Sequence, residues 1–124
     1  MTSTAIGPAT CERFPSLDGR RFRAVENSPS GQVSDETEFF FSQEDGRVHA
    51  HYRGGAVDLG FLVGLASGRT IEFRYVHVDR DGKIASGHSI DTIEVLADGR
   101  LRLHERWTWE SKVGSGTSIL EEIA

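Results

Sequence analysis

At 124 residues with a formal charge of −5, the chain is sized for a single domain that buries about two-thirds of its unfolded surface. The acidic balance argues against a nucleic-acid or anionic-membrane partner, because phosphate binding needs a concentrated basic surface. One cysteine, Cys11, excludes an internal disulfide framework and fits a reducing cytoplasm.

The first residues, MTSTAIGPAT, have neither a basic n-region nor an apolar h-region, so residues 1–16 read as a flexible leader and residues 17–124 as the domain. The longest apolar run, Phe61 to Ala66, is too short and too glycine-interrupted to span a membrane. Glycine then punctuates the chain regularly, with EDG at 44–46, GG at 54–55, SG at 67–68 and DG at 81–82 and 98–99. These are hairpin signals. Between them lie eight runs rich in β-branched and aromatic residues: Arg21 to Glu26, Glu36 to Gln43, Arg47 to Arg53, Val57 to Leu65, Thr70 to Val78, Lys83 to Leu96, Arg100 to Glu110 and Thr117 to Ile123. No helical period is present. The expected fold is therefore all-β, a single eight-stranded antiparallel up-and-down barrel, which leaves no exposed sheet edge. The alternative is a curved, half-open sheet laid on a second subunit.

Turn lengths predict the register. A two-residue turn at Asp45–Gly46 pairs Phe39 with Tyr52, Phe41 with Ala50 and Glu38 with Arg53. The same rule at Asp81–Gly82 pairs Phe73 with Ile90, Tyr75 with His88 and His77 with Ser86. A three-residue loop at Ser67–Gly68 sets Phe61 against Phe73 and Leu59 against Tyr75. At Asp98–Gly99 two registers compete: one sets Thr92 opposite Glu105, the other sets Asp91 opposite Glu105 and Ile93 opposite Leu103. A bulge near Asp91 and Thr92 would ease the conflict. The expected interior includes Leu59, Phe61, Phe73, Leu101, Leu103 and Trp107, with Leu62 and Leu120 on the outer face, where a homodimer would cover them.

The run GRLRLHERWTW poses the functional question. Its apolar face, Leu101, Leu103, Trp107 and Trp109, contains Glu105. Burying an ionised carboxylate costs several kcal/mol unless it is paired or protonated. With Tyr75, His88 and His77 nearby in the expected register, the lining is aromatic and ionisable, as ligand pockets are. Trp107, Trp109, His88 and Phe73 are thus candidate ligand-binding residues. Glu105, Tyr75 and His77 are candidate catalytic residues for a proton-transfer isomerisation or cyclisation. The competing reading is a non-catalytic structural or partner-binding module with a filled barrel. His49-x-His51 has the spacing that metal-binding barrels use, but the register turns both outward beside Arg53, and no metal is expected. Arg100, Arg102, His104 and Arg106 form the outer face of the Glu105 strand, opposite carboxylates on neighbouring strands. No GxGxxG, GxxxxGK[ST], HExxH or GxSxG motif occurs, and no cofactor is expected.

FRAVENSPSGQVSDETEF, RYVHVDRDG and GRLRLHERWTW together resemble a family of small bacterial and fungal proteins often labelled N-acetylglutamate synthase, over nearly the whole chain after residue 17. Its recurring features fall on Asn27, Ser28, Tyr75, His77, Gly99, Arg100, His104, Glu105, Trp107 and Trp109. The resemblance implies a calycin-like barrel, similar in shape to lipocalins and avidin, that holds a small apolar molecule. The helix start and glycine loop with which an acetyltransferase grips acetyl-CoA have no counterpart in this sequence.

Overall fold

A computed structural model describes residues 15–124, so Cys11 and all but the last two residues of the expected leader lie outside the described residues. Eight antiparallel strands follow one another: β1 (Arg21–Asn27), β2 (Glu38–Glu44), β3 (Arg47–Gly54), β4 (Val57–Ser67), β5 (Thr70–Asp79), β6 (Ile84–Val95), β7 (Leu101–Trp109) and β8 (Ser115–Glu122). Each pairs with the next, and β8 pairs back onto β1. The sheet is a closed barrel, not a half-open one, so no strand edge is left to template aggregation. No helix among the described residues is long and apolar enough to cross a membrane.

The β2–β3 hairpin has the expected register, with Phe39 opposite Tyr52 and Glu38 opposite Arg53. Its turn puts Asp45 at φ 55, a conformation that Asp tolerates better than most residues. Two other hairpins differ from expectation by turn length. The β4–β5 turn holds only Gly68 and Arg69, with Ser67 opposite Thr70 and Gly68 at φ 59. Phe61 therefore meets Val76 and Leu59 meets Val78. Leu59 and Phe61 stand on the outer face, 45% and 53% exposed, whereas Leu62 and Leu120 are buried. The β5–β6 loop encloses Arg80, Asp81 and Gly82, closed by the Asp79 N–H donating to the Lys83 carbonyl. This one extra residue sets Phe73 opposite Ser89, Tyr75 opposite Gly87 and His77 opposite Ala85. His88 is consequently turned outward, where its Nε2 meets Glu72 at 2.7 Å.

The β6–β7 loop likewise has three residues, with Gly99 at φ 90 and the Leu96 N–H on the Arg100 carbonyl. That choice sets Asp91, not Thr92, opposite Glu105. β6 carries no bulge; its pairing runs unbroken on both sides. The irregularity that matters lies in β1, between Ala24 and Glu26. The extra residue there lets both Ala24, opposite Leu120, and Asn27, opposite Ser118, face inward.

Volume is matched strand to strand inside the barrel. Gly60 lies opposite Tyr52, Gly64 opposite Phe73, Gly87 opposite Tyr75 and Gly116 opposite Trp107. A Cβ on any of the four would come within 2.7 Å of a side-chain atom of its aromatic partner. Alternating small and large inward residues is how a narrow barrel accommodates rings. One end is packed solid by Leu17, Phe22, Val48, Ile71, Leu101 and Leu103, all fully buried. Aromatic and polar side chains occupy the other.

Candidate functional site

Above the packed end lies a cleft with about 420 Å³ of empty space, open solvent at its mouth included. Its walls are aromatic. Tyr75 meets Trp109 edge-on at 5.6 Å, His77 meets Trp109 at 5.7 Å and Trp107 tilts against Trp109 at 5.8 Å. Phe39 stacks on Tyr52 at 4.7 Å. Of the candidate residues, Glu105, Tyr75, His77, Phe73, Trp107 and Trp109 all line this space, and His88 does not. Burial pushes the Tyr52 and Tyr75 phenols above their ordinary range, with the Glu105 charge adding to both effects, so both stay protonated.

The base of the cavity answers the question posed by Glu105. Asn27, Ser118, Glu105 and Asp91 are successive Cα partners across β1, β8, β7 and β6. They form one polar row on one side of the barrel. Ser118 Oγ donates to Glu105 Oε1 at 2.6 Å, and Ser89 Oγ donates to Asp91 Oδ1 at 2.7 Å. Glu105 is 7% exposed and Asp91 is fully buried. Burial raises both carboxyls above the usual range. The Glu105 charge raises Asp91 further, whereas hydrogen bonds from Asp91 and Ser118 oppose the rise at Glu105. Asp91 Oδ2 has no hydrogen-bond partner among the described residues. It gains a partner when it carries a proton and gives it to Glu105, the arrangement that two carboxyls forced together adopt.

At the mouth, a hydrogen-bonded chain ties the β1–β2 loop to the barrel. Gln32 Nε2 donates to Asp79 Oδ2 at 3.2 Å, which leaves Gln32 Oε1 to accept from His77 Nε2 at 2.8 Å. His77 Nδ1 must then accept from the Tyr52 hydroxyl, 3.0 Å away. Trp109 Nε1 adds a bond to the Ser30 carbonyl at 3.1 Å. Both nitrogens of His77 are thus engaged, and burial, with Lys112 adding to it, lowers its pKa to about 4. Acid should loosen this latch. The contribution of neutral His77 is fully present above pH 6.5 and is lost as pH falls toward 4. Protection of the 28–34 loop amides, as exchange relative to the unprotected rate at each pH, should fall across that window in the parent. It should stay level in His77→Gln; an equal fall in both would refute the assignment.

Sequence reasoning missed Gln32, whose loop offers no periodic signal, and gave no role to Tyr52, Ser89 or Ser118. Alternation along HYRG could have found Tyr52. Outside the barrel, His49 and His51 are exposed, as the register requires. Arg100 pairs with Asp98 and Glu121, Arg102 with Glu94 and Glu121, and His104 with Glu94, so much of the basic row is neutralised on the surface.

A family model described as "Avidin-like protein" matches residues 15–123. No curated protein and no solved structure matches the chain.

Proposed function

The chain belongs to the avidin-like protein family, and from that premise we propose that its barrel binds a small, largely apolar or aromatic organic molecule between Trp107, Trp109, Tyr75 and Phe73. The observation that carries this reading is a cavity with aromatic walls and a single polar row at its base. Polar groups on one wall orient a ligand, while the apolar walls supply affinity. Trp107 and Trp109 are the only tryptophans in the chain, so intrinsic fluorescence reports the site directly. Saturable quenching by an uncharged, non-fluorescent aromatic such as nitrobenzene is expected, with loss of the response in Trp107→Phe and Trp109→Phe. Absence of quenching across a panel of aromatic compounds, together with an unchanged melting temperature, would sink the reading in favour of a filled, non-catalytic module.

Catalysis is a second reading, favoured by the carboxyl pair. Glu105 would move a proton in an isomerisation or cyclisation while Tyr75 steadies the developing charge. His77, with both nitrogens engaged, would serve as a positioning residue for Tyr52. Glu105→Gln separates the cases: loss of turnover with affinity retained marks an enzyme, and a change in affinity alone marks a carrier. Acetyl transfer finds no support in these residues. The proposed setting is cytoplasmic.

A homodimer is also proposed, through a different surface from the one expected at Leu62 and Leu120. Leu59, Phe61, Val63 and Leu65 form an uncharged ridge along β4, with Val63 and Leu65 each 65% exposed. Such a ridge is a self-association surface. Light scattering should give twice the chain mass for the parent and the monomer mass for Val63→Arg. A monomeric parent at high concentration would retire the idea.

A further inference from the structure

We propose that the ligand of this pocket carries a cationic nitrogen group bearing N–H donors, such as an amidinium or a primary ammonium, and that this group seats on the Asp91–Glu105 pair and Asn27. The inference deepens the binding reading above and rests on it.

Donor and acceptor bookkeeping of the polar row carries the argument. The hydroxyls of Ser118 in the row and of Ser89 next to it are spent as donors into the carboxyls. Asn27 Nδ2 is spent on the Val33 carbonyl at 2.8 Å, which leaves Asn27 Oδ1 as a buried acceptor with no donor among the described residues. Its inward aim is the work of the β1 bulge. Glu105 lines the cavity, and Asp91, its Cα partner on β6, stands beside it outside the lining. What the row offers to the cavity is therefore acceptor oxygen, and what it lacks is N–H. Both carboxyls are acidic groups held in the interior, and among the described residues no Lys or Arg lines the cavity. A buried charge without a counter-ion is costly. A ligand that brings the positive charge removes that cost. The walls point the same way, because a cation gains over tryptophan and tyrosine faces. Lys112 Nζ already stands over the Trp109 ring, 4.4 Å from its centroid.

The other titratable groups around the cavity, Tyr52, Tyr75 and His77, are held neutral at pH 7 by burial. Glu105, with Asp91 beside it, is thus the acidic group of the lining among the described residues, while Asp79 stands at the mouth on Gln32 and Lys112 over Trp109. Phe39 on β2 and Leu62 on β4 add no ionisable group.

Benzamidine, benzamide and benzoate share one ring and differ in the charge and donors of its substituent, so they separate the contributions. At pH 8, benzamidine should bind at least about tenfold more tightly than benzamide, with benzoate weakest, by fluorescence titration and calorimetry. Its affinity should fall as pH is lowered and the pair takes up protons, while benzamide affinity stays level down to pH 6.5, above the range in which His77 titrates. Glu105→Gln, which removes the carboxylate that lines the cavity, should cost benzamidine about tenfold and leave benzamide within about twofold, whereas Asp91→Asn, which keeps that carboxylate, should leave both within about twofold. Should a variant fail to fold, the ranking of the three probes on the parent is decisive by itself. Equal binding of benzamidine and benzamide, or preference for benzoate, overturns the inference and leaves the aromatic pocket standing. Failure of all three probes and of nitrobenzene overturns both.

Discussion

An Asp91→Asn substitution is expected to leave the protein more stable than its parent at neutral and alkaline pH. In the unfolded chain this carboxyl loses its proton near its ordinary value of 3.8, whereas burial and the neighbouring Glu105 hold it well above that value in the barrel. Between the two values the unfolded state binds fewer protons than the folded one. The contribution is therefore fully present below pH ~3.8 and is lost as pH rises through the folded pKa, at up to about 1.4 kcal/mol per pH unit. Asparagine imitates the protonated acid at every pH: its Nδ2 can donate to Glu105 while its Oδ1 accepts from Ser89. Urea midpoints at pH 5, 7 and 9 should fall steadily for the parent and much less for the variant. Asp91→Ala, by contrast, strands the Ser89 hydroxyl in the interior and should destabilise at all three. Parallel parent and Asp91→Asn curves, or a less stable Asp91→Asn at pH 9, would show that the two carboxyls do not share a proton.

Gly60→Ala should be a damaging single-methyl change in the barrel wall. Its Cβ would lie 2.4 Å from Tyr52 ring atoms. The ring cannot swing aside freely: it is 2% exposed, stacked on Phe39 and bonded through its hydroxyl to His77. Overpacking of a rigid core costs about 1–3 kcal/mol, which for a domain of this size lowers Tm by several degrees per kcal/mol. Because Tyr52 begins the chain that holds Gln32, the mouth loop should loosen together with the wall. A Gly60→Ala/Tyr52→Leu double variant should recover part of the loss, since the clash requires both partners. Strictly additive costs in that cycle would disprove the cross-strand fit.

How far the sequence alone reached depended on how much each strand's two faces differ. Along β7 the contrast is complete, with Leu101, Leu103, Glu105, Trp107 and Trp109 buried and every residue between them at least partly exposed. Its alternation settled both the strand and the inward glutamate. Five glycine-marked turns delimit six of the eight strands, and the Asp45–Gly46 turn determined the β2–β3 register. Barrel closure then followed from the need to cover edges. β4 is apolar on both faces, so its alternation could not say which one is inside, and the larger side chains were the natural choice for the core. The tertiary structure reversed that choice. Tyr52 and Phe73 already fill the space beside β4, and only Gly60 and Gly64 fit against them. A turn one residue longer at Arg80–Gly82 moved His88 to the surface in the same way, because a single-residue slip exchanges the two faces of a strand. That Asp91 rather than Thr92 meets Glu105, and that a bulge turns Asn27 into the same row, were likewise decided only in three dimensions. Local residue types define which strands form. The matching of volumes and hydrogen bonds between residues distant in the chain selects which of two nearly equivalent registers is adopted, and with it the composition of the pocket.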